Sequence, residues 1–383
     1  MMAREEVSAR NSLRYLLQHL GDVPDDRDPA KVRFPLKEVL FLTTCASMAG
    51  CEDYDEIVEW GEINLDFLRR HEEFYFGVPK ADWLRTLMNR IDTDLFEACF
   101  HAWARNLRSD APDIIALDGK SLRASADAPR GERACHLVSA WASTQRLVLA
   151  QRAVEAKTNE CAAMLDLLAS MRLDGALVTI DAIATNPTVA QAILDAGGDY
   201  VLALKANQST FKNEVEAYFE QADADEIETI ETLDKDHGRL EQRTYSVSHN
   251  VNWLTGPRRH PGEPRLPGLA CLIKTTTRSE RQGTVSEQTR YFVSSARLSA
   301  ERAATAIREH WGIESLHWVL DVIFKEDQSR LRRGHGAQNM ALVRRLAINL
   351  VRNGRGKKSI KTARKAAGWN PDVLEAMLQA EIR

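Results

Sequence analysis

The chain has 383 residues, 44 % hydrophobic and 28 % charged, which is enough apolar material for a sizeable core and excludes global disorder. No run approaches the roughly 18 consecutive apolar residues of a membrane helix, and the opening Met1-Met2-Ala3-Arg4-Glu5-Glu6 lacks the apolar stretch of a secretory signal. Six cysteines without a C-x-x-C pair argue against a disulfide framework or a zinc ribbon, so a soluble, cytoplasmic protein with no membrane partner is expected.

The net charge of −4 hides an asymmetry: residues 328–383 carry 13 Lys/Arg against 3 acids, leaving the rest of the chain at −14. No acid falls between Asp327 and Asp372, while Arg330, Arg332, Arg333, Arg344, Arg345, Arg352, Arg355, Lys357, Lys358, Lys361, Arg364 and Lys365 do. A strip of this density is the footprint of a nucleic-acid partner, with a solvated helical face as the plainer alternative.

In chain order, residues 11–105 read as helices punctuated by Pro and Gly, with Leu36, Val39, Leu40 and Leu42 on a helical period and Gly50 as a stop. An all-helical N-terminal domain, 1–108, is expected. Strand-like runs follow at Asp113–Asp118, Ala134–Ser143 and Arg146–Val154, then a helix at Glu160–Met171. Ala176–Asp181 is a second buried strand, Pro187–Ala196 a helix, and Tyr200–Leu204 a third apolar run ending at Lys205. This order describes an α/β sheet with later strands parallel. The acid-rich stretch Glu220–Asp236 reads as a solvated helix and linker. Thr244–Val251, Leu269–Thr276 and Thr289–Ser294 read as strands of a β-rich insertion, 206–298, around the loop Gly256–Gly268. From Ser299 onward the pattern is helical, with 109–327 as the core and 328–383 as a basic tail.

Asp118 and Asp181 each end an apolar strand, and the carboxyl ends of strands form the functional edge of an open α/β sheet. On the helix around His310–Lys325, Ile313, Leu316, Leu320, Ile323 and Phe324 form one stripe, and His310, Glu314, His317 and Asp321 an adjacent one. If the apolar stripe packs on the sheet, Glu314 completes a triad with Asp118 and Asp181. Carboxylates brought together repel unless a cation lies between them, and oxygen-only ligation selects Mg²⁺ or Mn²⁺, here two ions suited to phosphoryl displacement. Zinc on His310, Glu314 and His317 is a weaker reading that leaves both aspartates idle. Gly119-Lys120-Ser121 is no P-loop, because position 114 is Ile.

These residues resemble the H-repeat-associated transposases of bacterial insertion sequences, a branch of the DDE transposases. The likeness rests on Arg33-Phe-Pro-Leu36, Leu117-Asp-Gly-Lys-Ser-Leu-Arg123, His136-Leu-Val-Ser-Ala140, Lys157-Thr-Asn-Glu160 and Val178-Thr-Ile-Asp-Ala182. It continues through Leu202-Ala-Leu-Lys-Ala-Asn-Gln208, Asp236-His-Gly-Arg-Leu-Glu-Gln-Arg243, the helix His310–Asp321 and Glu326-Asp327. The family's Lys-Gly-Asn-Gln is Lys205-Ala-Asn-Gln208 here, and its Ala-Met-Gly-x-Gln is Ala182-Ile-Ala-Thr-Asn186.

The resemblance implies a ribonuclease-H-like core and Asp118, Asp181 and Glu314 as metal-binding triad. It implies metal-dependent cleavage and strand transfer at insertion-sequence ends, with double-stranded DNA (terminal inverted repeats and target) as partner, a homodimer on DNA, and nucleoid association. The alternatives are a nuclease without strand transfer and an inactive DNA-binding remnant. Lys120, Lys157, Lys205, His237, Arg239, Arg243, Arg330 and Arg332 are expected at DNA phosphates, Asn159, Asn207 and Gln208 at DNA bases or loop backbone, and His317 at a phosphate or leaving group. Trp311 and Trp318 are expected in the core, with base stacking as the alternative.

Overall fold

The structure is a computed structural model that describes residues 12–109, 113–131, 133–154, 160–181, 185–236, 239–255, 265–281 and 284–380. Six helices come first: α1 (Ser12–Asp22), α2 (Leu36–Ala49), α3 (Tyr54–Ile63), α4 (Leu65–Leu68), α5 (Ala81–Met88) and α6 (Thr93–Leu107). The helix α2 is their axis, buried on nearly every side and ended by Gly50 at φ 107°, a left-handed value that glycine adopts without strain. Asp53 caps α3 by accepting the Glu56 N–H at 2.9 Å, while Glu56 accepts the Glu52 N–H at 2.7 Å, a reciprocal arrangement like a capping box.

The middle of the chain supplies β1 (Ile114–Leu122), β2 (Cys135–Ala142), β3 (Leu147–Val154), α7 (Glu160–Ser170), β4 (Leu177–Ile180), α8 (Pro187–Asp195), β5 (Asp199–Leu204) and α9 (Ser209–Gln221). Then come β6 (Ile227–Asp236), β7 (Arg239–Ser248), α10 (Asn252–Thr255), β8 (Cys271–Arg281) and β9 (Thr284–Ser294). All nine strands form one sheet in the order β3-β2-β1-β4-β5-β9-β8-β7-β6. Parallel pairing joins β1, β4 and β5, and antiparallel pairing joins the rest. The segment Ile227–Asp236, expected as helix and linker, is instead a strand paired with β7 at ten positions. Four of its residues, Ile227, Thr229, Ile230 and Thr232, are β-branched, and such residues favour the pleat over the helix. The insertion strands extend the main sheet, because β9 pairs with β5 from Val201 to Leu204.

The chain closes with α11 (Ala300–Val322), α12 (Gly336–Gly354), α13 (Ile360–Trp369) and α14 (Pro371–Leu378). Alternate strand residues face opposite layers. Ile114, Leu177 and Val201 pack with Ala300, Ala303 and Ile307 of α11, while Ile115, Val178 and Leu202 join the core that contains α7 and α8. Among the described residues no helix is long and apolar enough to cross a membrane.

The basic strip lies only partly open: Arg330, Arg332, Arg333, Lys357, Lys358, Lys361 and Lys365 are exposed, but three arginines are not. Arg344, Arg345 and Arg364 are 3 %, 0 % and 4 % exposed. Arg364 donates to the Ser47 carbonyl at 2.8 Å and to the Ile323 carbonyl, so its guanidinium satisfies carbonyls at the ends of both α2 and α11. Charge counting reads every arginine as solvent-facing; here three are structural cations, and Arg330, Arg332 and Arg333 remain exposed.

At the open side of β3, the buried Asn349 of α12 substitutes for a neighbouring strand. It accepts the Val148 N–H and donates to the Val148 carbonyl, both at 2.9 Å. Asn349→Leu would strand two buried backbone groups, an expected loss of about 2–4 kcal/mol, readable as a shift of the urea midpoint. A loss below about 0.5 kcal/mol would show that water replaces the amide.

Candidate active site

The parallel register decides which side chains meet. Leu117 of β1 pairs with Ile180 of β4, so Asp118 and Asp181 occupy the next step on strands about 4.8 Å apart. Asp118 shares the face of Ile114, onto which α11 packs. Asp118 Oδ1 accepts the Gly119 N–H at 2.9 Å, and His317 Nδ1 of α11 lies 3.6 Å from Asp118 Oδ2. One helical turn earlier, Glu314 is exposed and its charge reaches Asp118. Burial, then the charges of Glu160, Asp181 and Glu314, push the Asp118 carboxyl up to about 6, against the lowering effect of the Gly119 N–H. Burial pulls His317 down to about 4, with Arg345 and Lys120 adding to it, so the imidazole beside Asp118 is neutral at pH 7.

Asp181 is partnered by Lys205, whose Nζ lies 2.6 Å from Oδ2; Lys205 itself is 57 % exposed. Gln208 donates to the Thr185 carbonyl at 2.6 Å and so ties the turn after β5, on which Asn207 also sits, to the loop after β4. His310 Nδ1 lies 2.9 Å from Thr179 Oγ1, fastening α11 over β4.

Lys120 requires a correction. It is 7 % exposed and surrounded by Asp321 at 2.6 Å, Glu326 at 3.3 Å and Asp327 at 3.4 Å, so it is an internal counter-ion and not a free phosphate contact. Arg243 is likewise engaged, by Asp234 and Glu241 within the β6–β7 hairpin. Arg332 is exposed and donates to the Ala124 carbonyl at 3.2 Å, and Arg330 is exposed nearby. Arg239 opens β7 opposite Asp236 and Arg281. Lys157, Asn159 and His237 lie outside the described residues. Trp311 and Trp318 are not in the core: they are 50 % and 58 % exposed, on one outward line of α11, because Ile313, Leu316 and Leu320 already fill the inward one.

Two residues were missing from the expected site. Glu160, at the start of α7, touches His136 Nε2, and His136 Nδ1 is 2.8 Å from Ser121 Oγ. They close on β1 at Gly119, where a Cβ would stand 2.3 Å from Glu160 Oε1 and 2.7 Å from His136 Nε2. Only a glycine admits this acid, so a fourth carboxylate reaches the site from the other face of β1. The glycine after Asp118 was the available signal, although it does not reveal which side chain fills the space.

Among the described residues, no group of three His, Cys, Asp or Glu side chains stands ready to ligate an ion. The donor chemistry nevertheless fits a hard divalent cation: the Asp118 carboxyl, raised first by burial, is raised further by the charges of Glu160, Asp181 and Glu314.

Residues 17–104 match the DDE_Tnp_1-associated family and residues 109–350 the transposase DDE domain. The chain belongs to the DDE transposase family. It is 35 % identical over 373 residues to YhhI of Escherichia coli (strain K12), an H repeat-associated protein assigned to the transposases, spanning 96 % of this chain and 98 % of that one. YncI of Escherichia coli O157:H7, also assigned to the transposases, is 35 % identical over 375 residues, or 96 % and 95 % of the two chains. Among solved structures, a piggyBac transposase synaptic complex with hairpin DNA aligns with 95 % of this chain and 77 % of its own at a TM-score of 0.43 and 11 % identity.

Proposed function

We propose that this chain cuts DNA at the ends of an insertion sequence and joins the freed ends to a target, on a ribonuclease-H-like core (109–327). The register that sets Asp118 beside Asp181, under the helix bearing Glu314, carries the reading. Mg²⁺ or Mn²⁺, held as two ions by these three residues, would stabilise the charge that develops as water or a 3′-hydroxyl attacks a backbone phosphorus and the bond from phosphorus to the leaving oxygen breaks. Asp118 and Asp181 supply the fixed acids, and Glu314 brings the third on α11. The neutral His317 packs against Asp118 without adding a charge that would compete for its carboxylate. Lys205 neutralises Asp181 until a phosphate arrives. The exposed Trp311 and Trp318 offer faces on which an unpaired base near the cut can stack. Joining two ends calls for two copies of the chain on DNA.

The substrate for the test is the DNA flanking the gene. End-labelled duplexes bearing any inverted repeats found there, incubated with Mg²⁺, are expected to give both nicked and joined products on denaturing gels. Nicks alone would reduce the protein to a nuclease. No product, with DNA still bound, would make it an inert DNA-binding remnant.

A further inference from the structure

On the flank of α11 away from Glu314 lies a cleft of about 1120 Å³, walled by the β2–β3 turn, by Gly312 and Ser315 of α11, and by the end of α12 with the loop after it. Among the described residues four cations line it (Arg146, Arg352, Arg355 and Lys357) against the single carboxylate of Glu309. The Arg352 guanidinium lies over the Trp141 ring at 4.4 Å from its centroid. Burial, then the charges of Arg146 and Arg355, lower its pKa to about 9, so the named charges acting on it are repulsive.

Three donors here are buried without a partner: Trp141 Nε1, Gln145 Nε2 and Arg352 Nη1. Trp141 is 2 % exposed, and a Cβ on Gly312 would sit 2.7 Å from its Nε1 and 3.5 Å from Ser143 Oγ. Only a residue without a side chain lets α11 come this close to the indole. An unmade buried hydrogen bond costs about 1–3 kcal/mol, and clustered guanidiniums add repulsion. Arg146 moreover holds a left-handed φ of 54°, which a non-glycine residue adopts rarely. An anion with several acceptor oxygens answers both the unmade hydrogen bonds and the repulsion between guanidiniums, and the planar fork of arginine matches a phosphate best.

We infer that this cleft is a phosphate-binding site. Its ligand is a phosphate-bearing anion, for which the DNA-cutting reading supplies the backbone of a bound strand, and to that extent the choice of DNA rests on that reading. The position agrees: Trp141 pairs with Ala116, two residues along β1 from Asp118, or about 7 Å. A strand gripped here would pass along α11 towards Glu314.

The test uses the full chain with Arg146→Asn and Lys357→Ser combined; asparagine tolerates the left-handed turn, and both residues are exposed. Lys357→Ser alone is the second variant, should the pair disturb folding. Duplex DNA binding is followed by fluorescence anisotropy over a salt series, and pyrophosphate binding by thermal shift. If both cations meet phosphates, the slope of log K against log salt falls by about 2 in the double variant and about 1 in the single, at about 0.9 per contact, with an unliganded melting temperature no lower than that of the wild type. Loss of slope without a pyrophosphate effect on the wild type assigns the site to the DNA backbone. If duplex fails to bind but pyrophosphate stabilises the wild type and not the variants, the phosphate site stands and the DNA-cutting reading falls. An unchanged slope, with equal pyrophosphate shifts in every form, overturns the site and leaves that reading intact. No response to either probe overturns both.

Discussion

Glu326→Ala is expected to destabilise the protein by about 3–5 kcal/mol, the usual consequence of leaving buried charges uncompensated. Glu326 and Arg345 are both 0 % exposed and paired directly, and Lys120 lies 3.3 Å from the same carboxylate. Alanine would leave two buried cations facing each other. The pair also has an acid signature. Burial alone would raise the Glu326 carboxyl, but Arg345, Lys120 and Arg344 outweigh it and hold it at about 2. A folded pKa below the unfolded value of 4.5 contributes stability that is complete above pH 4.5 and is lost as pH falls towards 2. Chemical denaturation at pH 7 and again near pH 3 is expected to show a smaller gap between wild type and variant at the lower pH. A double replacement of Glu326 and Arg345 by leucine is expected to recover much of the loss, because an apolar pair has no charge to bury. A loss under about 1 kcal/mol for the single variant would mean that water enters the cluster. The stakes extend beyond stability: Lys120 is two residues from Asp118, and the cluster fixes the end of α11 against β1.

Asp118→Asn is expected to reduce Mg²⁺-dependent DNA cleavage by at least about 10²–10³-fold, the range found when one charge-stabilising group leaves a reaction site. The same change is expected to raise the melting temperature in the presence of a chelator. Burial and three carboxylates press on this aspartate, so its ionisation costs folding energy. Its folded value, about 6, exceeds the ordinary 3.8; the penalty therefore accumulates as pH rises from 3.8 to about 6 and persists above that. Discounting for its partial exposure leaves about 1–2 kcal/mol gained by asparagine at pH 7 and little near pH 4. Added Mg²⁺ is expected to raise the melting temperature of the wild type more than that of the variant. A variant that cleaves at the wild-type rate removes Asp118 from the chemistry. One that is inactive and less stable makes it a structural residue.

The strands β1 and β4 were legible as short apolar runs leading to an aspartate, but β1 does not end at Asp118: it continues to Leu122, paired with β2, and only its parallel pairing with β4 stops at Leu117. The segment β6 was misread because acid density suggested solvent, although its four β-branched residues favour a strand. The arginines misled for a related reason. A count of positive residues cannot see Glu326, the carbonyls of Ser47 and Ile323, or the Trp141 ring, each of which takes up one of them. The approach of Glu160 to Gly119 was illegible in principle, since it depends on where α7 lands on a strand some forty residues earlier.

The grip of Asn349 on Val148 has a consequence for synthesis. The first sheet strands leave the ribosome about two hundred residues before the helix that covers their open side, so the nascent chain carries an unprotected hydrogen-bonding border for most of its translation. A copy of the gene interrupted by a frameshift between residues 315 and 348 would keep every acidic residue of the candidate site yet yield a chain with that border exposed. Such a copy is expected to aggregate or be degraded, and the mobility of the element would be lost through folding before any change in its chemistry.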